Sequence, residues 1–466
     1  MSMDMAPRLD TDALLADPET RIVVCCGSGG VGKTTTAAAL GVRAAERGRK
    51  AVVLTIDPAR RLAQSMGIDA LDNVPRRVEG IDGSAGGELH AMMLDMKRTF
   101  DEFVEAHADP ERARAILANP FYQSLSAGFA GTQEYMAMEK LGQLRARDEW
   151  DLIIVDTPPS RSALDFLDAP KRLGSFLDGK FIKVLMAPAK VGGRAGMKFL
   201  NVGVSMMTGT VSKVLGGQLM RDVQTFAAAM DTMFGGFRTR AEATYRLLQA
   251  PGTAFLVVAA PERDALREAA YFVERLAADR MPLAGLVLNR VHGSGAAQLS
   301  AERALAAAET LSLGLAEASA VPTADDPESD DPENDGLGDG AGDGAENLVE
   351  GGIVDPGSGN AQEQNASAAD DPPAADAPSD PDGSPTSAER LAVGLLRLHA
   401  ERMQVLAREQ RTHHRFTTLH PEVPVAEVAA LPGDVHDLAG LRAIGERLAE
   451  QTEQQQATPT PTPAVG

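Results

Sequence analysis

The chain has 466 residues, 44% of them hydrophobic, which is enough to bury the core of one large or two ordinary domains and excludes a fibre or a peptide. Its formal charge of -21 comes mostly from one stretch: residues 321–388 hold 18 Asp and Glu and no Lys or Arg, leaving 48 acidic against 45 basic residues elsewhere. So even a balance lacks the basic excess that a general nucleic-acid surface needs to displace counterions from phosphates, and no nucleic-acid partner is expected.

Residues 1–19 are expected to be a flexible N-terminus, with no basic region leading into an apolar run. No uncharged apolar stretch anywhere approaches bilayer length, so no transmembrane segment is expected and any membrane association is peripheral, through a partner. The first apolar run, Ile22–Cys26, reads as a buried strand. It contains both cysteines, Cys25 and Cys26. Adjacent cysteines in a strand form neither a disulfide framework nor a spaced metal site, which points to a reducing cytoplasm. A glycine-rich loop at 27–34 follows, then a helical pattern at Thr35–Arg47 that ends at Gly48. Further apolar runs at Ala51–Ile56, Leu152–Val155, Phe255–Ala260 and Leu283–Leu288 predict more strands. The fourth of the five runs leads through Pro261-Glu262 into a helix at Ala265–Ala278, and the last ends at Asn289-Arg290. Continuous apolar runs separated by helical patterns are what strands covered on both faces require. The predicted class is therefore α/β, a doubly wound and mostly parallel sheet, with a core domain at 20–300.

Residues 166–250 interrupt that core with helical periodicity and seven of the chain's 18 methionines, Met186, Met197, Met206, Met207, Met220, Met230 and Met233. Leu173, Phe176, Leu177, Phe181, Val184 and Leu185 fall on one helical face. That face either covers the core or, with adaptable methionines beside it, accepts apolar partners. A helix is expected at 301–320. Residues 321–388, made of Asp, Ala, Pro, Gly and Ser, bury too little to offset ordering entropy and are predicted to be a disordered acidic linker. Ordered pattern resumes at Ala388–Arg415, with a last strand at Val423–Val428 and a helix at Asp437–Glu450, so that 389–450 completes the core and 451–466 is a disordered Thr-Pro tail.

Residues Gly27, Ser28, Gly29, Gly30, Val31, Gly32, Lys33 and Thr34, between a strand and a helix, have the spacing of a phosphate loop. Glycines let backbone amides turn inward around phosphates, and the helix N-terminus beginning at Thr35 adds partial positive charge. Lys33 would reach the β and γ oxygens, and the Thr34 hydroxyl would ligate Mg²⁺. The same glycines satisfy a looser dinucleotide-binding pattern, but the following Lys-Thr pair decides for the phosphate loop. Asp156 closes the run Leu152–Val155, placing a carboxylate at a strand end near the metal, the Walker B position; the alternative is a helix N-cap. Asp57 closes another strand, where it would orient the attacking water or serve as an ordinary turn residue before Pro58.

In this order, the glycine loop, Asp57-Pro58, Asp156-Thr157 and Asn289-Arg290 resemble the arsenite-pump (ArsA-type) and guided-entry tail-anchored-protein ATPases of the SIMIBI class of dimeric P-loop proteins. The likeness covers roughly 20–300 and 388–450. It implies ATP and Mg²⁺ as ligands, Thr55–Ala59 as switch I with Asp57 positioning water beside Lys33, and Asp156–Ser160 as switch II with Asp156 holding Mg²⁺ through water. It assigns Asn289, next to Arg290, to adenine, and Leu431, Pro432, Asp434 and Val435 to a loop closing over the base. Ser28 departs from the pattern, because the family places there a second lysine that reaches the partner's phosphates. Either a related subunit supplies it in a heterodimer, or Arg60, Arg61 or Arg161 substitutes within a homodimer. The dispersed cysteines of the arsenite branch and the zinc-binding pair of the targeting branch are missing too. The resemblance implies a dimeric ATP-hydrolysing switch acting on a hydrophobic or membrane-protein client, the alternatives being a partition or positioning ATPase and a regulatory subunit of low activity.

Overall fold

The computed structural model describes residues 7–57, 61–126, 132–158, 239–319 and 387–456. They divide into two units, the first comprising the described residues up to Gln298 and from Arg402 onward, the second Leu299–Glu401.

The first unit is built on an eight-stranded sheet. In chain order its strands are β1 (Ile22–Cys26), β2 (Lys50–Thr55), β3 (Arg76–Arg77), β4 (Glu88–Met93), β5 (Leu152–Asp156), β6 (Thr253–Ala259), β7 (Leu283–Val291) and β8 (Val425–Ala429). They lie in the order β3-β4-β2-β5-β1-β6-β7-β8. All neighbours are parallel except β3, which pairs antiparallel with β4.

The central strands are buried on both faces, and alternation along each divides the core in two. Ile22, Val24 and Cys26 of β1 join Val52, Ile153 and Val257 under the helices Met96–His107, Thr132–Arg147 and Arg263–Ala278. Val23 and Cys25 join Val53, Ile154 and Val258 under the helices Lys33–Glu46 and Leu438–Gln456. Small residues let the helix Lys33–Glu46 lie close on the sheet: Gly41 faces Val53, Leu89 and Ile154, and a Cβ there would crowd the first two. Between the predicted helix starting at Thr35 and the observed start at Lys33, the last loop residues have joined the first turn.

Two strands carry no apolar run and were not predicted. β3 is two exposed arginines at the sheet edge, and β4, Glu-Leu-His-Ala-Met-Met, has its apolar run broken by Glu88 and His90 because an edge covers only part of it. β7 runs past Leu288 to Val291, so Asn289 and Arg290 belong to its bulged end rather than to a following loop, held there by pairing with β8. β8 begins at Val425, two residues later than predicted, since Pro424 has no amide to give the ladder; its carbonyl accepts from Leu286 N at 2.7 Å.

Residues 7–19, within the segment expected to be flexible, include the helix Thr11–Ala16, capped by Asp10 and buried through Leu15, and Leu9 N donates to Val425 O at 3.1 Å. The second unit contains the helix Ala301–Ser319 and the first turns of the helix Ser387–Leu419, linked by Arg397 Nη2 to Ser312 Oγ at 3.3 Å. Residues 166–238 of the expected insertion, with its apolar face and all seven methionines, lie outside the described residues, as do 321–386 of the expected linker and 457–466 of the tail; residues 239–249 are helical.

Candidate nucleotide site

Parallel strands bring the ends of β1, β2 and β5 to one edge, where Asp156 lies in register with Cys25 on one side and Thr55 on the other. Such an edge, outside the carboxyl ends of strands, is where open α/β sheets bind ligands. The chain leaves β1 through Gly27, whose missing side chain lets Val258 O approach; any Cβ there would overlap it. Gly30 and Gly32 have φ of 77° and 94°, conformations that a side chain strains. Gly32 then begins the helix Lys33–Glu46 with no side-chain cap. Its first amides therefore face the loop with the helix dipole behind them and no side chain competing for them.

Lys33 is almost fully buried, and its Nζ donates to Ser28 O at 2.8 Å across the loop. Burial holds its ammonium below the ordinary lysine range, opposed by the carboxylates of Asp156 and Asp57. Asp156 is also buried. Its Oδ2 accepts from Thr34 Oγ1 at 2.7 Å and Thr55 Oγ1 at 2.8 Å, while Oδ1 has no hydrogen-bond partner among the described residues. Burial pushes this carboxyl up to about 6, against the pull of the two hydroxyls and Lys33, with Asp57 adding to the rise. An orphaned buried carboxylate oxygen beside a threonine hydroxyl is a donor set that a hard, oxygen-seeking cation suits. The uncapped amides and the lysine suit a polyphosphate. Thr157 is tied to β1 by its hydroxyl and amide, both donating to Cys25 O at 2.9 and 3.2 Å. Asp57 N donates to Thr55 Oγ1 at 3.2 Å, which places this aspartate just past the strand end.

On the other side of the loop, a cleft of about 790 Å³ is lined by Gly32, Thr34, Thr35, Asn289, Arg290, Pro432 and Asp434, bringing the candidate base residues together with the start of the phosphate-loop helix. Asn289 is buried; its Nδ2 donates to Val31 O at 2.8 Å and its Oδ1 accepts from Arg290 N at 2.9 Å. Gly32 packs against the same carboxamide, where a Cβ would collide with Nδ2. Asn289 thus braces the phosphate loop as well as facing the cleft. Arg290 has φ of 61°, a left-handed conformation at the β7 bulge.

Arg61, Gln64, Ser65, His292 and His436 also line the cleft. Of these, sequence reasoning named only Arg61, as a substitute for the missing lysine; the position of His292, three residues after Asn289, is the one local signal for the others. Arg60 and Arg161 lie outside the described residues.

A sequence profile of the anion-transporting ATPase family, ArsA_ATPase, matches residues 20–305. ATPase GET3 of Podospora anserina is 27% identical over 310 residues, covering 64% of this chain and 82% of that protein. ATPase GET3 of Malassezia globosa is 29% identical over 160 residues, 34% of this chain and 45% of that protein. Protein Rv2184c of Mycobacterium tuberculosis is 31% identical over 167 residues, 34% of this chain and 40% of that protein. In the last two cases the likeness spans less than half of the relative. The family profile, in contrast, takes in more than half of the chain and every strand of the sheet from β1 to β7. The chain belongs to the anion-transporting ATPase family, whose members are nucleotide-binding ATPases.

Proposed function

We propose that the chain is the ATP-hydrolysing half of a dimeric switch, coupling Mg-ATP binding and hydrolysis to binding or release of a hydrophobic or membrane-protein client. The observation that carries the reading is the Asp156 carboxylate, shared by Thr34 and Thr55 where three strands end, with its second oxygen open beside an uncapped glycine loop. Amides of Gly29 to Thr35 and the Lys33 ammonium would hold the phosphates. The Thr34 hydroxyl would hold Mg²⁺, with Asp156 contacting it through water; bound there, the ion would neutralise charge on the β and γ oxygens. Asp57, next to Lys33 in the electrostatics of the site, would orient the attacking water. Asn289, Arg290, Pro432 and Asp434 would contain the base. Loss of the γ-phosphate would free Asp57 and Thr157 at the ends of β2 and β5 and so change the affinity for the client.

Ser28 supports a division of labour. A serine cannot supply cationic stabilisation to a partner's phosphates, so the second subunit would be a related chain bearing the lysine, or Arg61 on the cleft wall would supply the charge in a homodimer. Among the described residues no helix is long and apolar enough to cross a membrane.

The test is nucleotide binding and turnover by Lys33→Ala and Asp57→Asn. Lys33→Ala is expected to lose ATP affinity, and Asp57→Asn to keep it while losing turnover. What co-elutes with Asp57→Asn in ATP but not in ADP identifies subunit and client. Unchanged binding and turnover in Lys33→Ala would overturn the reading.

A further inference from the structure

We propose that His292 is a nucleoside-binding residue whose imidazole is set by Glu409, giving the cleft a hydrogen-bond acceptor for a donor on the nucleoside. The inference rests on the cleft being the nucleoside half of an ATP site.

His292 lines the cleft with Asn289 and Arg290. It follows the left-handed Arg290 and the bulge in β7, where the ladder no longer holds the backbone in line. What holds it is the helix Ser387–Leu419. Glu409 takes His292 at two points: Nδ1 meets Oε1 at 2.6 Å, and the backbone N donates to Oε2 at 3.2 Å. Two turns earlier, Arg402 Nε donates to Gly293 O at 2.9 Å. Residues seven apart share a helix face, so this face grips consecutive residues of the loop.

The exposures are unequal. The Glu409 side chain is 13% exposed and that of His292 46%. An ordinary surface ion pair leaves both partners in water; here the carboxylate is set into the protein and the ring is left toward solvent and cleft.

The chemistry follows from the donor inventory. A carboxylate only accepts, so Nδ1 carries the proton, and in the neutral ring Nε2 keeps its lone pair. A carboxylate on one nitrogen fixes both the tautomer and the ring plane, as it does for histidines that bind metals. The remaining nitrogen is then an acceptor for a ribose hydroxyl or for the exocyclic amine of adenine. Glu409 touches no ligand and acts by position alone.

Titration calorimetry of the full chain with Mg²⁺ and four probes separates these sources: ATP, 2′-deoxy-ATP, 3′-deoxy-ATP and inosine triphosphate. The unmodified chain is expected to bind one analogue about two- to tenfold more weakly than ATP, the yield of one hydrogen bond. His292→Ala should weaken ATP by the same factor and erase discrimination against that analogue only. Glu409→Ala should reproduce this, whereas Glu409→Gln, whose one carbonyl oxygen can accept from Nδ1 while its NH2 cannot accept from the backbone N, should restore it in part. A chain that binds all four alike, or a His292→Ala variant with unchanged ratios, overturns the proposal. Lys33→Ala serves as the control on the site: if it binds ATP as the unmodified chain does, the ATP site itself is misplaced, a failure distinct from unaltered ratios in a site that needs Lys33.

Discussion

Replacing Asp156 by Asn is expected to stabilise the nucleotide-free protein and to remove its metal-dependent affinity for ATP. The side chain is buried, one oxygen takes both threonine hydroxyls, and the other takes nothing. Burial raises the carboxyl from 3.8 to about 6. A folded-state value above the unfolded one means that the folded chain holds the extra proton between those two pH values, so stability falls as pH rises through them and stays reduced above. A rise of about two pH steps, at about 1.4 kcal/mol each, makes the ionised carboxylate cost roughly 3 kcal/mol at pH 8. Asparagine avoids that cost but withdraws the negative charge that supports the buried Lys33 ammonium and puts an NH2 where Oδ1 has no partner, so the net gain falls to roughly 1 kcal/mol or less. Urea denaturation in EDTA at pH 8 and pH 5 measures it. The gain should be present at pH 8 and shrink at pH 5, where the native carboxyl is itself mostly protonated. Mg-ATP titration should show affinity reduced at least about tenfold, one lost charge-assisted contact. A variant less stable than the native chain at pH 8, or equally stabilised at both pH values, would refute the reasoning.

Gly32→Ala is expected to cost about 1–2 kcal/mol from the positive φ alone and more from the collision with the Asn289 carboxamide; thermal melts and ATP titration should both register it. Asn289→Ala strips Val31 O of its buried donor, so about 1–3 kcal/mol of stability should be lost in urea melts even without nucleotide, a loss that a residue serving the base alone would not produce. Glu102→Ala leaves the buried Lys140 ammonium without its partner at 3.1 Å and should destabilise by about 2–4 kcal/mol, whereas adding Lys140→Met to the same background should recover most of the loss.

The central sheet was legible because strands buried on both faces tolerate little but apolar residues, and β1, β2, β5, β6 and β7 each show such a run. β3 and β4 were not, since an edge relaxes that demand. The helices between β4 and β5 had a readable signal that composition obscured: Asp95 and Asp109 cap the helices Met96–His107 and Pro110–Leu117, the second with Pro at its start. The glycine loop after β1 was legible because its backbone conformations require glycine, and the place of Asp156 at the end of β5 because a carboxylate closing an apolar run is costly without a purpose. His292 could not be found that way. Its orientation comes from Glu409, 117 residues along the chain, and no local spacing encodes that contact.

The two halves of the site meet at one side chain. The phosphate half hangs on the ends of β1, β2 and β5, and the cleft half on the ends of β7 and β8, with β6 between them. Asn289 crosses that gap by donating to Val31 O, and its carboxamide fills the space that Gly32 leaves. Arg447, on the last helix, secures the far wall by donating from Nη1 to Ala429 O at 2.6 Å and Ala430 O at 3.2 Å. On the proposed reading, a phosphate group that draws the loop's amides inward would pull on Asn289, and through it on the bulged end of β7 that carries Arg290 and leads into His292. A nucleotide bound as proposed would load both halves of the site through this one side chain.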